Sequence, residues 1–439
     1  MITVAERTSV NWETAYRRKV MDVDTALASV LSGNRIYIGG GAGVPKCLIG
    51  GLTRRADELR DVEITHILTF AEAPYAGEQF AHAFRVNALF IGANVRQAVQ
   101  DGRADFTPIF LSEIPNLFRT ILPIDVALIS VSSPDAHGYC SFGVEVGTTK
   151  PAAEAARVVI GEINPRMPRT LGDSFIHVSR LSHIVEVDYA LPVAPQATSS
   201  ERHLQVGEHI ANMIPNGATL QMGIGNIPDA VLQHLKGHHD LGVHTELFSD
   251  GIIDLVESGV ITCSRKSFHS GKIVAGFLFG SQRLYDFVDN NPLIELHPTD
   301  YVNDPFNIAR NDRMVAINSA LQVDLTGQVN ADSIGPHFYS GVGGQLDFIR
   351  GAARSNGGLP IVAFVSTAKN DTVSRIVPTL YPGSGVVTTR NDVHYVVTEY
   401  GVASLYGKSV RRRAQELIAI AHPRFQKELS TAAHEMGYL

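Results

Sequence analysis

The feature that most constrains this chain is an internal echo. Gly33-Asn-Arg-Ile-Tyr-Ile-Gly39-Gly-Gly-Ala-Gly-Val-Pro45 precedes an apolar segment, Lys46 to Leu52, with the periodicity of a helix. Gly217-Ala-Thr-Leu-Gln-Met-Gly223-Ile-Gly225-Asn-Ile-Pro228 likewise precedes Asp229 to Leu235. Each copy reads as a glycine ending one helix, a short strand, a glycine-rich turn, and a proline suited to the first turn of the next helix. The echo opens each half of a 439-residue chain, long enough for two domains or three, which points to duplication. The expected architecture is α/β, with two tandem similar open, Rossmann-like domains spanning residues 1–195 and 196–439. Their junction is placed near Ala190–Ser200, where two prolines and a small polar cluster interrupt the apolar periodicity.

Strand candidates in the first half are Asn34–Ile38, Val62–Leu68, Val126–Val131, Val158–Ile163 and His183–Val187. In the second they are Thr219–Met222, Gly242–Leu247, Val260–Cys263, Ile273–Phe279, Met314–Val323, Pro360–Val365 and Val393–Val397. Many are near-continuous Val/Ile/Leu runs, as in parallel strands covered on both faces. Such sheets bind ligands beyond the carboxyl ends of their strands, so the residues just after each run are the ones to examine. Charge excludes several alternatives. With 37 basic and 44 acidic residues, a net −7, the chain offers no electrostatic footprint for nucleic acid or anionic lipid. The three cysteines, Cys47, Cys140 and Cys263, are widely spaced, which argues against a disulfide framework or a zinc cage. The charged N-terminus and the lack of any segment of about 18 apolar residues lead us to expect a cytoplasmic protein with no membrane partner.

Three constellations carry possible chemistry. Gly223-Ile-Gly225-Asn-Ile-Pro228 sits at a strand-to-helix turn, where main-chain N–H groups can approach a phosphate or oxyanion. Taken alone it reads more readily as a structural turn than as a ligand loop, because Pro228 replaces the third glycine of a dinucleotide fingerprint. Glu246, in His244-Thr-Glu-Leu-Phe-Ser-Asp250-Gly, lies near the end of a predicted buried strand. A carboxylate there is either a turn cap or a desolvated base or nucleophile. Gly341-Val-Gly343-Gly344-Gln345 runs into a helix and is either a tight turn or an oxyanion hole. Other clusters read as structural. His234, His238 and His239 lack metal-ligand spacing, Arg411-Arg412-Arg413 fits one charged face of the last long helix, and Asp135-Ala-His137-Gly-Tyr-Cys140 lacks a nucleophilic serine elbow. No metal site is expected. Lys369 follows a predicted strand, where it could meet a phosphate or carboxylate or simply face solvent.

Taken together, Gly-Ile-Gly-Asn-Ile-Pro-Asp-Ala-Val, His-Thr-Glu-Leu-Phe-Ser-Asp-Gly and Gly-Val-Gly-Gly-Gln-Leu-Asp-Phe-Ile-Arg-Gly resemble the acetyl-CoA hydrolase/transferase family of family I CoA-transferases. The likeness is nearest its 4-hydroxybutyrate or butyrate:acetate branch. Asn94-Val-Arg, Pro134-Asp-Ala-His-Gly-Tyr-Cys, Asn164-Pro-Arg-Met-Pro-Arg, Ile317-Asn-Ser-Ala-Leu-Gln-Val-Asp and Ser374-Arg-Ile-Val-Pro extend it over nearly the whole chain. The resemblance implies a CoA-transferase fold with the active site in the cleft between two domains. It implies Glu246 as the nucleophile of a ping-pong reaction through a glutamyl-CoA thioester, with coenzyme A as substrate and no fixed cofactor. It implies that Gln221, Met222, Gly223, Ile224 and Gly225, with Leu321, Gly343, Gly344 and Lys369, line the oxyanion and CoA sites. Expected donors are acetyl-, butyryl- or succinyl-CoA, and expected acceptors are 4-hydroxybutyrate, butyrate or an itaconate-like acid. Discharge of the same intermediate by water would give an acyl-CoA hydrolase instead. A homodimer or homotetramer is expected on the same ground.

Overall fold

The computed structural model describes residues 12–195 and 199–439. The first residues of the chain and the centre of the expected junction, residues 196–198, lie outside the described residues.

Two parallel sheets dominate the structure. In spatial order, the seven-stranded sheet runs His183–Glu186, Val158–Ile163, Val126–Val131, Arg35–Ile38, Val62–His66, Phe84–Ala88 and Asp105–Phe106. The nine-stranded sheet runs Gly401–Ser404, Tyr395–Thr398, Leu359–Ala363, Met314–Asn318, Thr219–Gln221, Gly242–Phe248, Ile273–Leu278, Ile294–Leu296 and Leu171–Gly172. Numbered by chain order within each half, both sheets read 7-6-5-1-2-3-4, so the echo extends to the topology. The second sheet adds Gly401–Ser404 as an antiparallel edge and Leu171–Gly172 at the opposite edge. Val126–Val131 and Ile273–Leu278 are buried at every residue, as expected for strands covered on both faces. The strand after each echo glycine is first in its half, and strand 5 lies beside it with the order reversing between them. That reversal makes a crevice outside the carboxyl ends of strands 1 and 5 in each half.

The halves are joined by backbone as well as side chains. Leu171–Gly172 comes from the first half yet pairs with Ile294–Leu296. Residues 144–147 bond to the strand Ile273–Leu278, with Leu278 N–H donating to Val144 O at 2.8 Å and Gly147 N–H to Gly276 O at 3.0 Å. The largest apolar cluster runs through both halves, and Phe70 stacks on Phe279 with ring centroids 3.7 Å apart.

Several local expectations are corrected. Val260–Cys263 forms only an isolated bridge between Ile261 and Leu241, because Gly259 and Cys263 both adopt positive φ and turn the chain away. Met314–Val323 is interrupted after Asn318 and resumes as Gln322–Asp324 in a separate small sheet, leaving residues 319–321 as a loop at the crevice. Phe84–Ala88, Ile294–Leu296 and Gly401–Ser404 are additional strands that polar residues and short length conceal. The arginine triplet lies on Val410–Ala419, which Pro423–Glu435 follows, so it is not on the last helix. Arg411 and Arg412 are exposed, but Arg413 turns inward to donate to Thr326 O at 3.2 Å. Asp135 accepts the N–H groups of His137 and Tyr139 and pairs with Arg169 at 3.0 Å, a structural turn around the buried Cys140.

Candidate active site

A cavity of about 450 Å³ opens outside the carboxyl ends of strands 1 and 5 of the second half. Its volume lies in the range of small-molecule sites. Gln221 to Ile224 form one wall, Ile317 to Leu321 a second, and Gly341 to Gln345 a third. The first half closes it with Leu68, Phe70 and Phe90, residues that follow its own second and third strands. Glu246 faces the cavity from the strand Gly242–Phe248.

Two donors meet the Glu246 carboxylate. Asn303 Nδ2 donates to Oε2 at 3.0 Å, and the Gly344 N–H faces the carboxylate from the third wall. Burial pushes the Glu246 carboxyl up to about 7, against the opposing pull of these two donors. The residue retains partial exposure because one side opens into the cavity. Gly344 has to be glycine, since a β-carbon there would overlap Glu246 Oε2 and Asn303 Nδ2. Glu246 is therefore a desolvated carboxylate with few partners, aimed into a pocket, as a nucleophile requires.

The structure brings most of the sequence candidates together. Gln221, Met222, Gly223, Ile224, Leu321, Gly343 and Gly344 all line the cavity with Glu246. Gln221 also braces the crevice, its Oε1 accepting from Ile317 N–H at 3.1 Å and Asn318 Nδ2 at 3.2 Å. Gly225 does not line the cavity. Its φ of +118° shapes the turn into the helix Asn226–His234. Lys369 is not brought to the cavity either. Lys369, Asn370 and Asp371 all have positive φ and form the tip of the hairpin joining Thr367–Ala368 to Val373–Ser374, which leaves Lys369 exposed. Among the described residues, the only basic one lining the cavity is Arg375, just past that hairpin.

Asn303, Arg375 and the three first-half residues escaped sequence reasoning. Arg375 lay inside a familiar stretch, Ser374-Arg-Ile-Val-Pro, whereas Asn303 sits in a loop without a motif and reaches Glu246 only through the fold. One further cluster is distinct from the cavity. Among the described residues, His269, Glu295 and His297 hold three ligand-type atoms within 4.8 Å of one another. Hydrogen bonds account for this group, with His269 Nδ1 2.8 Å from Glu295 Oε2 and His269 Nε2 2.7 Å from the Tyr301 hydroxyl.

Comparison with known proteins finds relatives along most of the chain. Residues 4–195 match the acetyl-CoA hydrolase/transferase N-terminal domain, and residues 280–433 match the corresponding C-terminal domain. The chain is 50% identical over 421 residues to a 4-hydroxybutyrate coenzyme A transferase of Clostridium kluyveri, covering 96% of this chain and 98% of that one. It is 46% identical to a succinyl-CoA:cyclohexane-1-carboxylate CoA transferase of Geobacter metallireducens, covering 97% and 98%. Among solved structures, RipA from Yersinia pestis superposes with a TM-score of 0.94 at 36% identity, covering 98% of this chain and all of that one.

Proposed function

We propose that this chain, which belongs to the acetyl-CoA hydrolase/transferase family, is an acyl-CoA:carboxylate CoA-transferase with Glu246 as its nucleophile. The observation that carries this reading is the Glu246 carboxylate itself, under-solvated and facing a cavity built from both halves. A Glu246 oxygen attacks the thioester carbonyl of the donor. The C–S bond breaks, leaving an acyl-glutamyl anhydride and CoA thiolate. The thiolate then attacks the Glu246 carbonyl carbon, the donor acid leaves as its carboxylate, and a glutamyl-CoA thioester remains. An acceptor carboxylate reverses these steps and leaves as the new acyl-CoA. One carboxylate enters and one departs, so no net proton moves and the thioester free energy is kept, provided water stays out. Gly344 N–H and Asn303 Nδ2 are placed to stabilise oxygen charge at Glu246 as its carbonyl is attacked.

The reacting acids are short. The first-half wall is apolar, with Leu68, Phe70 and Phe90, which suits the aliphatic tail of butyrate or 4-hydroxybutyrate. Arg375 offers one cation for a second carboxylate, as in succinyl-CoA or an itaconate-like acid. The chain division at residue 195 rests on the prolines and small polar residues around it, a cytoplasmic location on the charged N-terminus and the lack of a long apolar segment, and a dimeric or tetrameric assembly on the family resemblance.

The test mixes purified protein with acetyl-CoA and a panel of short mono- and dicarboxylic acids. Acyl-CoA species are followed by mass spectrometry and free thiol by a colorimetric reagent. New acyl-CoA without accumulating free CoA supports the transferase. Free CoA released at the same rate with or without acids makes it a hydrolase.

A further inference from the structure

The wall that presents Gly344 to Glu246 belongs to the second half but is held in place by the first. Arg96 Nε donates to Tyr339 O at 2.8 Å, Ile91 N–H to Ser340 O at 3.3 Å, and Leu111 N–H to Gly343 O at 3.3 Å. Ser112 closes the series, its N–H and Oγ donating to the two oxygens of the Asp347 carboxylate at 3.2 and 2.9 Å. Phe90 fills the space beside the glycines, where a β-carbon at Gly341 or Gly343 would lie 3.0 or 3.4 Å from its ring. Every donor in this series is on the first half, and every acceptor lies between residues 339 and 347.

We infer that Ser112 and Asp347 are positioning residues for the CoA-transfer reaction, setting the direction of the Gly344 N–H toward Glu246 from across the two halves. The inference rests on the proposed role of Glu246. Asp347 lies in the first turn of the helix Gln345–Arg354, directly after Gly344, and is 4% exposed. Among the described residues, its carboxylate hydrogen-bonds only to Ser112. A buried carboxylate is a costly way to fill a helix face, and burial pushes this one up to about 7, with smaller contributions from the neighbouring acids Glu246 and Glu113. What it supplies is a two-point directional bond that fixes the rotation of that first turn. A polar clamp of this kind holds a geometry that apolar packing would leave free to slide. The first half, which lends no reacting group, thereby controls the donor at the nucleophile.

The charged and titratable groups around the pair set the pH test. Glu246 faces Asn303, the Gly344 N–H and Asp347, while Asp347 faces Ser112, Glu113 and Glu246. His244, buried on the same strand as Glu246, is pushed down to about 3 by burial and stays neutral, and among the described residues Arg375 is the only basic one lining the cavity.

The experiment uses the full chain with Ser112→Ala, Ser112→Thr and Asp347→Asn, measuring kcat and KM for CoA exchange, the pH profile and thermal unfolding. We expect Ser112→Ala to lower kcat about tenfold through misplacement of the donor, with KM within about twofold and Ser112→Thr close to wild type. We expect Asp347→Asn to lower kcat on the same scale, because its amide can accept from only one of the two Ser112 donors, and to leave the acid limb in place, because Asp347 is itself protonated over that limb. Unchanged kcat in Ser112→Ala or Asp347→Asn, or a rise in KM alone, overturns the inference. Losses of activity that merely follow unfolding in both Ser112 variants overturn it too. If wild type itself transfers no CoA, the proposed function fails and the inference goes with it; if only the variants behave as wild type, the inference alone fails.

Discussion

The two halves put the same crevice to opposite uses. In the first half the glycine turn at 39–45 is filled by the chain itself. The Glu145 carboxylate accepts the N–H groups of Thr148 and Thr149 and both threonine hydroxyls, the Gly40 N–H donates to Thr149 Oγ1 beside it, and β-carbons at Gly41 or Gly43 would lie 3.4 Å from its side chain. In the second half the turn is open, and β-carbons at Gly223 or Gly225 would meet nothing within 4 Å. Burial pushes both Glu145 and Glu246 up to about 7. A raised carboxyl therefore does not separate a structural acid from the proposed nucleophile. The number of donors and the presence of a cavity do: Glu145 is 1% exposed and met by several donors, whereas Glu246 has two and faces open space.

The largest expected effect breaks this comparison most directly. Glu246→Ala should lower CoA exchange by at least about 10³-fold, since covalent catalysis loses its nucleophile, while the protein stays folded. Glu145→Gln should keep the exchange chemistry and lose stability, because an amide cannot accept at both of its heads. Steady-state exchange and thermal unfolding of the two variants check both statements. Exchange near the wild-type rate in Glu246→Ala would remove it as nucleophile.

Next in size is Gly344→Ala. Its β-carbon would displace the Glu246 carboxylate and Asn303, so we expect kcat to fall about 10²-fold, the scale of losing one oxyanion donor. Gly43→Ala, beside Glu145, meets its neighbours only at 3.4 Å or more and should leave kcat unchanged. Equal kcat in the two alanine variants would place the second glycine wall outside the reaction.

Asn303→Ala should lower kcat about tenfold and move the acid limb of the pH–rate profile upward. The reasoning is one of sign. The reaction needs ionised Glu246, burial raises its pKa, and the Asn303 hydrogen bond lowers it. Wild type should accordingly gain activity as pH rises through about 7, and the variant should do so at higher pH. A limb that moves downward would show that Asn303 holds the protonated form.

Much of this contrast was legible in the sequence. The glycine echo fixed the paired first strands, and Glu246 could be placed near a buried strand end because Val243, Leu247 and Phe248 surround it with apolar residues. The likeness to CoA-transferases pointed to residues 221–225, Leu321, Gly343 and Gly344, and the cavity gathers all of these but Gly225. What stayed hidden depends on contacts between residues far apart in the chain. Asn303 reaches Glu246 across 57 positions, and Ser112 reaches Asp347 across 235. No local pattern encodes such pairs. Lys369 misled for a related reason: a lysine just after a strand promises a ligand contact, but three successive left-handed residues turn it out to solvent. That Glu145 plugs the first crevice was equally unreadable, since its partners at 148 and 149 look like any helix start.

The smallest effect sharpens the comparison through stability. A carboxyl raised from about 4.5 unfolded to about 7 folded binds its proton more tightly in the native state, so native stability declines as pH climbs across that window. Glu246 has two donors to offset this cost, so Glu246→Gln should relieve it, raising the unfolding midpoint by about 1–3 °C at pH 8 and changing little near pH 4.5. Glu145→Gln also removes a titrating group, but the Thr148 and Thr149 donors then meet an amide, so its midpoint should fall at both pH values. Calorimetric scans of wild type and both variants at the two pH values separate the cases. A lower midpoint for Glu246→Gln at pH 8 would mean that its carboxylate supports the fold as Glu145 does, and the distinction between a filled crevice and an open one would lose its energetic basis.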